Sequence, residues 1–349
     1  MSVTSEFEFV IQWHLTEQCN LRCSHCYQDG SRRDELSTDE VLSGLEEIQD
    51  LFRTWSAVHG LKLVPSFNIT GGEPLLRSDL FDILDSITRR GWDTFVLTNG
   101  TLVTEADARR IAGLGIKGVQ ISLEGPEEIH DSFRGAGSFQ ASLSGIRSLL
   151  HEGVTVTVNT TLSEINGERF FELADVAARL GVQRLGFSRL VPSGRGGALA
   201  DRMLAPDRVR SLYQRILSLS CDGMALVTGD PVCAQMRAGG ECVDDQGDVP
   251  VGGCSAGVSG LTILSDGTMV PCRRLPVPLG NIRTDSIREI WAASPVLDAL
   301  RTRARYEGKC GACKRWATCR GCRAIAAAAS GRQDALAALA DDPQCPLAP

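Results

Sequence analysis

The sequence predicts an α/β fold in which a parallel sheet built from six strand–helix repeats is followed by a smaller, cysteine-rich region. Short apolar runs typical of strands alternate with longer segments of helical periodicity over roughly the first 220 residues. Each N-terminal motif discussed below lies at the end of one of these runs. Beyond residue 221 the periodicity weakens, and this remainder, with Cys221 itself, contains ten of the thirteen cysteines. We therefore place one domain over residues 1–224 and a second over residues 225–349.

The elements of the first domain follow one another in a regular order. Strands are predicted over residues 9–16, 62–70, 94–98, 118–123, 154–162 and 184–190. Helices are predicted over residues 38–53, 78–90, 104–113, 138–151, 168–180 and 206–219. The first helix has an N-cap signal in Ser37–Glu40, and Gly91 is expected to end the second. This alternation predicts parallel strands joined by right-handed crossovers.

Composition excludes several classes of protein. The chain is 43% hydrophobic and 23% charged, which is typical of a globular protein with a sizeable core. Its net charge of −7 argues against nonspecific binding to nucleic acid or to a membrane surface. No apolar run reaches the ~18–20 residues of a membrane span. Glu6 and Glu8, with no basic segment before them, argue against a signal peptide. Cysteines in such number then indicate metal ligation in a reducing cytoplasm.

Three cysteines in the loop after the first strand carry the strongest chemical signal. Cys19, Cys23 and Cys26 have C-x3-C-x2-C spacing within residues 17–36. Iron–sulfur clusters are held by cysteine thiolates, and a four-iron cluster normally takes four of them. Three thiolates hold three irons and leave the fourth open to a ligand from outside the protein. A zinc loop or buried free thiols are the alternatives, although zinc loops usually contain paired C-x2-C elements.

The flanks of this loop favour the cluster. An aromatic residue, Tyr27, follows the third cysteine, and Gly71-Gly72-Glu73-Pro74 follows the second predicted strand. The two glycines allow the backbone to approach a ligand closely. A plain β-turn would also explain two glycines and a proline, but the cysteine loop upstream favours a cofactor.

Together these features closely resemble the radical S-adenosylmethionine (radical SAM) superfamily. The resemblance implies a partial β/α barrel of six strands, with its site at their carboxyl ends. It implies that Cys19, Cys23 and Cys26 bind a [4Fe–4S] cluster whose open iron is chelated by the methionine part of S-adenosylmethionine (SAM). One-electron reduction then releases a 5′-deoxyadenosyl radical that abstracts a hydrogen atom, and the protein positions and shields this chemistry.

The resemblance also implies which residues surround SAM. The Gly71–Gly72 backbone is expected at the methionine amino group. Arg134 is expected at the carboxylate, which suits an arginine fork, although an arginine after a helical turn is also commonly a surface cap. Glu124 stands where the family more often has aspartate. The expected cofactor-binding residues are Tyr27, Gly71, Gly72, Glu73, Pro74, Thr98, Asn99, Ser122, Glu124, Arg134, Asn159 and Val191.

The C-terminal region contains a predicted hairpin and a second set of cysteines. Residues 261–270 read as two strands joined by an Asp-Gly turn. Farther on, Cys310, Cys313, Cys319 and Cys322 form two C-x2-C pairs separated by five residues. Zinc ribbons also use paired C-x2-C elements, so zinc is an alternative for this segment taken alone.

Taken with Cys254, Gly267, Cys272 and Cys345, the segment resembles the SPASM extension of radical SAM enzymes, which carries up to two auxiliary [4Fe–4S] clusters. The family usually has C-x3-C as the last spacing, whereas this sequence has C-x2-C, which puts the direction of Cys322 in question. The resemblance implies one auxiliary cluster on Cys310, Cys313, Cys319 and Cys345. It implies a second on Cys254, Cys272 and Cys322.

The fourth ligand of this second cluster is less defined. Cys242 is the first choice, with Cys233, a substrate group or no ligand as alternatives, and Cys221 is most simply a core thiol. The resemblance therefore implies three [4Fe–4S] clusters and SAM as cofactors.

The substrate is predicted less sharply. Enzymes with this extension mostly modify peptides, which favours crosslinking, epimerisation or excision in a ribosomally synthesised peptide. Side-chain chemistry on a haem-type tetrapyrrole is the first alternative. A non-catalytic iron–sulfur electron-transfer protein is the second, although it would need no nucleotide site. The expected partners are a small precursor peptide, an external electron donor of flavodoxin or ferredoxin type, and a separate leader-peptide recognition protein, with no nucleic acid and no membrane.

Overall fold

The computed structural model of the protein describes residues 6–30, 33–60, 62–220, 223–237, 247–332 and 335–347. The strands are β1 (Glu6–His14), β2 (Lys62–Thr70), β3 (Asp93–Thr98), β4 (Gly118–Ser122), β5 (Val156–Leu162), β6 (Arg184–Arg189), β7 (Ala225–Val227), β8 (Gly260–Ile263), β9 (Thr268–Val270) and β10 (Gly280–Asn281). The α-helices are α1 (Thr38–His59), α2 (Leu80–Thr88), α3 (Glu105–Gly113), α4 (Glu127–Arg134), α5 (Ser138–His151), α6 (Phe170–Leu180), α7 (Pro206–Leu217), α8 (Pro231–Arg237), α9 (Ile287–Ala293), α10 (Pro295–Arg301), α11 (Gly308–Ala312) and α12 (Arg323–Ala329).

All described strands belong to one sheet. Its order is β10-β9-β8-β1-β2-β3-β4-β5-β6-β7, and β1 to β7 pair in parallel, each with the next. The predicted partial β/α barrel, followed by a region with antiparallel strands and short helices, is confirmed. Parallel pairing brings the carboxyl ends of the strands to one edge, where the predicted motifs meet.

The first helix shows how the sequence produces these elements. Ser37 and Glu40 form the expected capping box, in which each side chain accepts a hydrogen bond from the other residue's backbone N–H. Apolar residues at helical spacing, among them Val41, Leu45 and Ile48, are buried in the core. The helix continues to His59, beyond the predicted end at residue 53, because only Gly60 adopts the left-handed conformation that ends it, with φ 63°.

Several described elements were not predicted by position from the sequence. Among them are α4, α8 and the short strands β7 and β10. Strand β7 begins at Ala225, where we predicted the second domain to begin, and pairs with β6 through residues 184–186. The sheet therefore continues across the predicted boundary, because three residues with no periodicity of their own add to an existing edge.

The predicted hairpin also joins this sheet. β8 and β9 pair antiparallel, and β8 lies parallel to β1, with Val10 opposite Gly260 and Trp13 opposite Ile263. Gly267 turns the hairpin with φ +83°, in a turn where its N–H donates to the Leu264 carbonyl over 2.9 Å. The cysteine-rich region is thus attached directly to the strand that precedes the cluster loop.

A buried ion network attaches the C-terminal segment to the end of β6. The Arg189 guanidinium is fully buried and lies 2.7 Å from Asp230 and 2.8 Å from Asp342. Asp342 in turn accepts a 2.9 Å hydrogen bond from the backbone N–H of Cys322. One buried cation thereby connects the barrel to a cysteine of the second domain.

Two further expectations concern membrane spans and two of the cysteines. No helix within the described ranges combines the length and apolar composition needed to cross a membrane. Cys221 and Cys242, predicted as a core thiol and as a cluster ligand, lie outside the described residues.

Candidate cofactor and substrate site

A cavity of about 790 Å³ opens at the carboxyl edge of the parallel strands. Polar residues at the ends of five strands line it, namely Thr70, Thr98, Asn99, Ser122, Asn159, Thr161 and Ser188. Cys19, Cys23 and Cys26 line the same cavity, together with Tyr27. The structure therefore brings the predicted cluster loop and the predicted nucleotide-binding strand ends to one place.

The cluster loop is held against a second loop that follows β6. Gly196 donates its backbone N–H to the Cys26 carbonyl over 2.9 Å, and Arg195 Nε donates to the Cys23 carbonyl over 3.1 Å. A Cβ at Gly194 would lie 2.3 Å from the Tyr27 carbonyl oxygen. Val191, the expected cofactor contact from this loop, lines the cavity and is buried.

The Gly71–Gly72 turn packs against the start of the cluster loop. Gly72 N–H donates to the Thr16 carbonyl over 2.7 Å, and the N–H of Glu73 donates to the Gln18 carbonyl over 2.7 Å. A Cβ at Gly72 would lie 2.3 Å from the Gln18 oxygen. The two glycines line the cavity, so their small size serves both the loop contact and the approach of a ligand.

Glu73 and Pro74, which we expected to contact the cofactor, do not line the cavity. Glu73 is fully buried, and its carboxylate accepts from Thr98 Oγ1 over 2.7 Å and from the Asn99 N–H over 2.8 Å. Pro74 is buried in the short turn that follows. A buried carboxylate is stabilised by several donors, and two of the donors here lie at the end of β3. The contact of Glu73 and Pro74 with the cofactor stays a prediction.

Glu124 also faces the protein rather than the cavity. Its Oε1 lies 2.6 Å from Arg134 Nη2 and 3.2 Å from His25 Nε2. Burial opposes ionisation, but His25 and Arg134 together hold the pKa of Glu124 below its usual range. The Thr161 N–H completes its partners over 2.9 Å. Glu124 therefore orients Arg134, and its contact with the cofactor stays a prediction.

Arg134 lines the cavity and faces the cluster loop. Its Nε and Nη2 bind Glu124, while its Nη1 lies 3.7 Å from Cys23 Sγ. Burial of the Cys23 thiol raises its pKa, and the Arg134 charge opposes this rise. A cation beside a thiol that must ionise to bind iron fits an anionic cluster at this position.

Tyr27 packs beside a buried histidine. Its ring meets His14 edge-on, with the ring centroids 6.0 Å apart. Burial, followed by the charges of Arg273 and Arg33, lowers the pKa of His14 to about 3, so this histidine is neutral. Burial likewise raises the pKa of the Tyr27 hydroxyl. Tyr27 therefore offers the cavity an uncharged aromatic surface.

Four of the C-terminal cysteines surround a second, small cavity of about 20 Å³. They are Cys310, Cys313, Cys319 and Cys345, the set expected to hold one auxiliary cluster. Arg320 lines the same cavity, and its Nε and Nη1 are buried without a hydrogen-bond partner. The Nη2 of Arg320 donates to the carbonyl of Cys254, so its guanidinium lies towards a cysteine of the other expected set, and buried donors are otherwise usually satisfied.

The other expected set consists of Cys254, Cys272 and Cys322. Burial raises the pKa of the Cys322 thiol to about 12, with Arg274 opposing and Cys254 adding to the rise, and Cys272 lies near the same arginine. Cys322 thus shares charged neighbours with Cys254 and Cys272.

Cys233, the second choice as fourth ligand of the cluster on Cys254, Cys272 and Cys322, has no cysteine among its charged neighbours. Burial and the neighbouring Asp230 raise the pKa of Cys233, while Arg237 and Arg189 oppose the rise, and none of these groups is a cysteine. Because Cys242 lies outside the described residues, the identity of the fourth ligand stays a prediction.

Sequence patterns missed several residues of the main cavity. Glu17, His25, Arg33, Arg195, Arg273 and Arg274 line it, although none of them was among the expected contacts. Burial raises the pKa of Glu17 to about 7, against the opposing charge of Arg33. Some had a signal in the sequence. His25 lies within the cysteine motif, Arg195 lies in the stretch 191–196 after the sixth predicted strand, and Arg273 and Arg274 directly follow Cys272, an expected cluster ligand.

Comparisons with known proteins agree with this architecture. The model of the radical SAM superfamily matches residues 13–177, and that of an iron–sulfur cluster-binding domain, SPASM, matches residues 254–323. The AdoMet-dependent heme synthase of Nitratidesulfovibrio vulgaris is 30% identical over 97% of this chain and 92% of its own. The mycofactocin maturase MftC of Mycobacterium tuberculosis is 30% identical over 89% of this chain and 77% of its own.

Solved structures share the fold. Streptococcus suis SuiB superposes with a TM-score of 0.75 at 16% identity, covering 98% of this chain and 78% of its own. The enzyme anSMEcpe, solved with bound AdoMet, gives a TM-score of 0.69 at 18% identity, covering 95% and 92%.

Proposed function

Since the chain belongs to the radical SAM superfamily, and is thus an enzyme of oxidoreductase type, we propose that it removes a hydrogen atom from a carboxylate-bearing side chain of a tetrapyrrole. The observation that carries this proposal is the single cavity shared by the three cluster-loop thiols and the polar ends of five strands. The tetrapyrrole is supported by the heme synthase relative, which is matched over more of this chain than the mycofactocin maturase is.

The cluster loop supplies the ligands in this proposal. Cys19, Cys23 and Cys26 would hold a [4Fe–4S] cluster, with Arg134 beside Cys23 offsetting the charge of its thiolate. When cluster and SAM are bound, they supply the 5′-deoxyadenosyl radical that removes the hydrogen atom. The protein orients these groups and excludes water from them.

The strand ends would bind the nucleotide. Thr98 and Asn99 end β3, Ser122 ends β4 and Asn159 lies on β5, and all four line the cavity. Their hydroxyl and amide groups suit ribose hydroxyls, which both donate and accept hydrogen bonds. The backbone at Gly72 can approach the methionine part because no side chain separates it from the cavity.

Metal content tests the cofactor part of the proposal. Three [4Fe–4S] clusters would give about twelve irons per chain, measured with sulfide after anaerobic reconstitution. Replacing Cys19, Cys23 and Cys26 together with alanine should remove about four irons and abolish reductive cleavage of SAM. About four irons with bound zinc in the wild type would instead support a zinc ribbon at residues 310–322.

A ribosomally synthesised peptide is the second candidate substrate. The mycofactocin maturase relative, 30% identical over 89% of this chain, favours it. In that case a small precursor peptide, and a separate protein that recognises its leader, would be partners. Either substrate requires an external electron donor of flavodoxin or ferredoxin type to reduce the cluster.

One assay separates the two candidates. The reconstituted enzyme is incubated with SAM and reductant, and with either iron coproporphyrin or the peptide encoded beside the gene. A mass loss in the porphyrin that depends on SAM and reductant is the expected result. A mass change in the peptide, with the porphyrin unaltered, would show that the substrate is the peptide and not the tetrapyrrole.

A further inference from the structure

Two adjacent arginines project into the main cavity from a tight turn after β9. The Leu275 N–H donates to the Cys272 carbonyl over 2.8 Å, which places Arg273 and Arg274 at the two central positions of a β-turn. Leu275 is buried and fixes the turn in the core. Both arginines line the cavity that contains the cluster loop.

The turn lies between β1 and β6, the first and the sixth strand of the parallel part of the sheet. Arg273 Nη1 donates to Gln12 Oε1 on β1 over 3.0 Å, and Arg274 Nη1 donates to the carbonyl of Arg189 at the end of β6 over 3.4 Å. The Arg273 Cζ lies 5.7 Å from the ring centroid of Tyr27, which follows Cys26. A group bound to this pair would therefore lie beside the cluster loop.

Other arginines of the cavity already have partners or solvent. Arg33 lies 2.8 Å from Asp266, and Arg134 lies 2.6 Å from Glu124. Arg22 is exposed. Arg195 is half-buried and donates to the Cys23 carbonyl over 3.1 Å.

The Arg273–Arg274 pair differs in this respect. Within the described residues, no carboxylate lies in ion-pair range of either guanidinium, and Arg274 Nε is buried without a hydrogen-bond partner. Both arginines are half-buried, and withdrawing two cationic groups side by side from water costs free energy unless an anion compensates them. Their planar forks match a carboxylate through paired N–H donors.

We propose that Arg273 and Arg274 bind a carboxylate of the substrate and so determine which of its carbon atoms lies at the cluster loop. This inference rests on the proposed function for the identity of the substrate, while the recognised chemistry is shared by the side chains of a tetrapyrrole and the acidic groups of a peptide. Arg274 also lies near Cys272 and Cys322, so Arg273 is the sharper probe.

The first experiment measures recognition of the charge itself. Iron coproporphyrin and its methyl ester, which lacks the carboxylates, are titrated by absorbance against the holoenzyme. The wild type should bind the acid more tightly, and Arg273→Gln should weaken acid binding by about 10- to 100-fold, the loss of one charge-assisted pair, with ester binding little changed. Arg273→Lys should fall between them because it keeps the charge without the fork.

A matched control removes an arginine elsewhere. Arg288 is exposed on α9, where it contacts Thr54, so Arg288→Gln should keep the wild-type preference for the acid. Retained preference in Arg273→Gln would overturn the inference and leave the proposed function standing. Loss of SAM binding in Arg273→Gln, at full iron content, would assign the arginine to the carboxylate of SAM and also overturn it.

A second experiment needs no knowledge of the substrate. The holoenzyme with SAM is treated with phenylglyoxal, which modifies arginine, with or without the small polycarboxylate tricarballylate, and the modified residues are identified by mass spectrometry. Protection of Arg273 by tricarballylate supports the inference even if neither porphyrin binds. Failure of both porphyrins to bind would rule out only the tetrapyrrole as the substrate. Absence of labelling or of protection at Arg273 would overturn the inference itself.

Discussion

Glu73 shows how a single buried residue supports other residues of the site. Its carboxylate accepts from Thr98 Oγ1, the Asn99 N–H and the Leu75 N–H. Burial raises the pKa of this carboxyl group, and the three donors oppose the rise. Since Thr98 and Asn99 line the cavity, Glu73 holds two candidate nucleotide-binding residues in place through its hydrogen bonds.

Glu73→Gln tests this role. An amide offers one acceptor oxygen where the carboxylate offers two, so some donors lose their partner, at a cost of about 2 kcal/mol. The apparent melting temperature of the reconstituted enzyme should fall by roughly 2–4 °C.

The exposed Glu105→Gln, in the first turn of α3, is the control and should change the melting temperature little. If Glu73→Gln keeps its melting temperature but loses SAM affinity, the side chain contacts SAM, as the family resemblance implies.

At the scale of elements, the cluster loop depends on close backbone contacts with neighbouring loops. The turn after β2 donates two 2.7 Å hydrogen bonds to its first residues, and the loop after β6 covers its last. Both contacts require glycine, because a Cβ at Gly72 or Gly194 would overlap a carbonyl oxygen of the cluster loop. The position of the three thiols is thus set by two other loops.

Gly72→Ala should displace the cluster loop. Its added Cβ would meet backbone atoms, which cannot move without shifting the residues before Cys19. We expect loss of roughly a third of the iron, the share of one cluster among three, and little SAM-dependent 5′-deoxyadenosine.

Gly113→Ala at the end of α3 is the matched control, since nothing lies within 4 Å of its added Cβ. Full iron content in Gly72→Ala, with normal SAM cleavage, would show that the loop accommodates the methyl group.

At the scale of the whole molecule, one sheet and one ion network join the two cysteine regions. The hairpin pairs with β1, and Arg189 at the end of β6 binds Asp342, which holds the backbone of Cys322. Removing one charge of a buried ion pair leaves the other charge uncompensated, so such a network is sensitive to single substitutions.

Asp342→Asn should loosen this junction. It leaves Arg189 with Asp230 as its remaining carboxylate, and the expected loss of stability is roughly 3 kcal/mol. Because Cys322 loses its charged acceptor, iron content should fall by about four per chain, while the cluster loop still cleaves SAM.

Asp298→Asn, an exposed carboxylate 3.7 Å from Arg305, is the control and should match the wild type. Unchanged iron in Asp342→Asn would separate this network from the auxiliary cluster.

The sequence by itself determined the repeat order, the cluster loop and the turn after β2, because strand and helix periodicity and cysteine spacing are properties of neighbouring residues. It also predicted which strand ends meet, since parallel pairing brings carboxyl ends to one edge. Placement at that edge did not decide where each side chain points. Thr98 and Ser122 line the cavity, whereas Glu73 and Glu124 are buried and accept hydrogen bonds from donors on other elements.

Only the tertiary structure placed the Arg273–Arg274 turn beside Tyr27, nearly the whole chain away in sequence. The hairpin reaches this position by pairing with β1, a long-range contact that leaves no periodic trace in either segment. The same holds for Cys345, which joins Cys310, Cys313 and Cys319 around one small cavity. Local patterns encode the elements, while packing between distant elements decides which charges remain unpaired and available to a ligand.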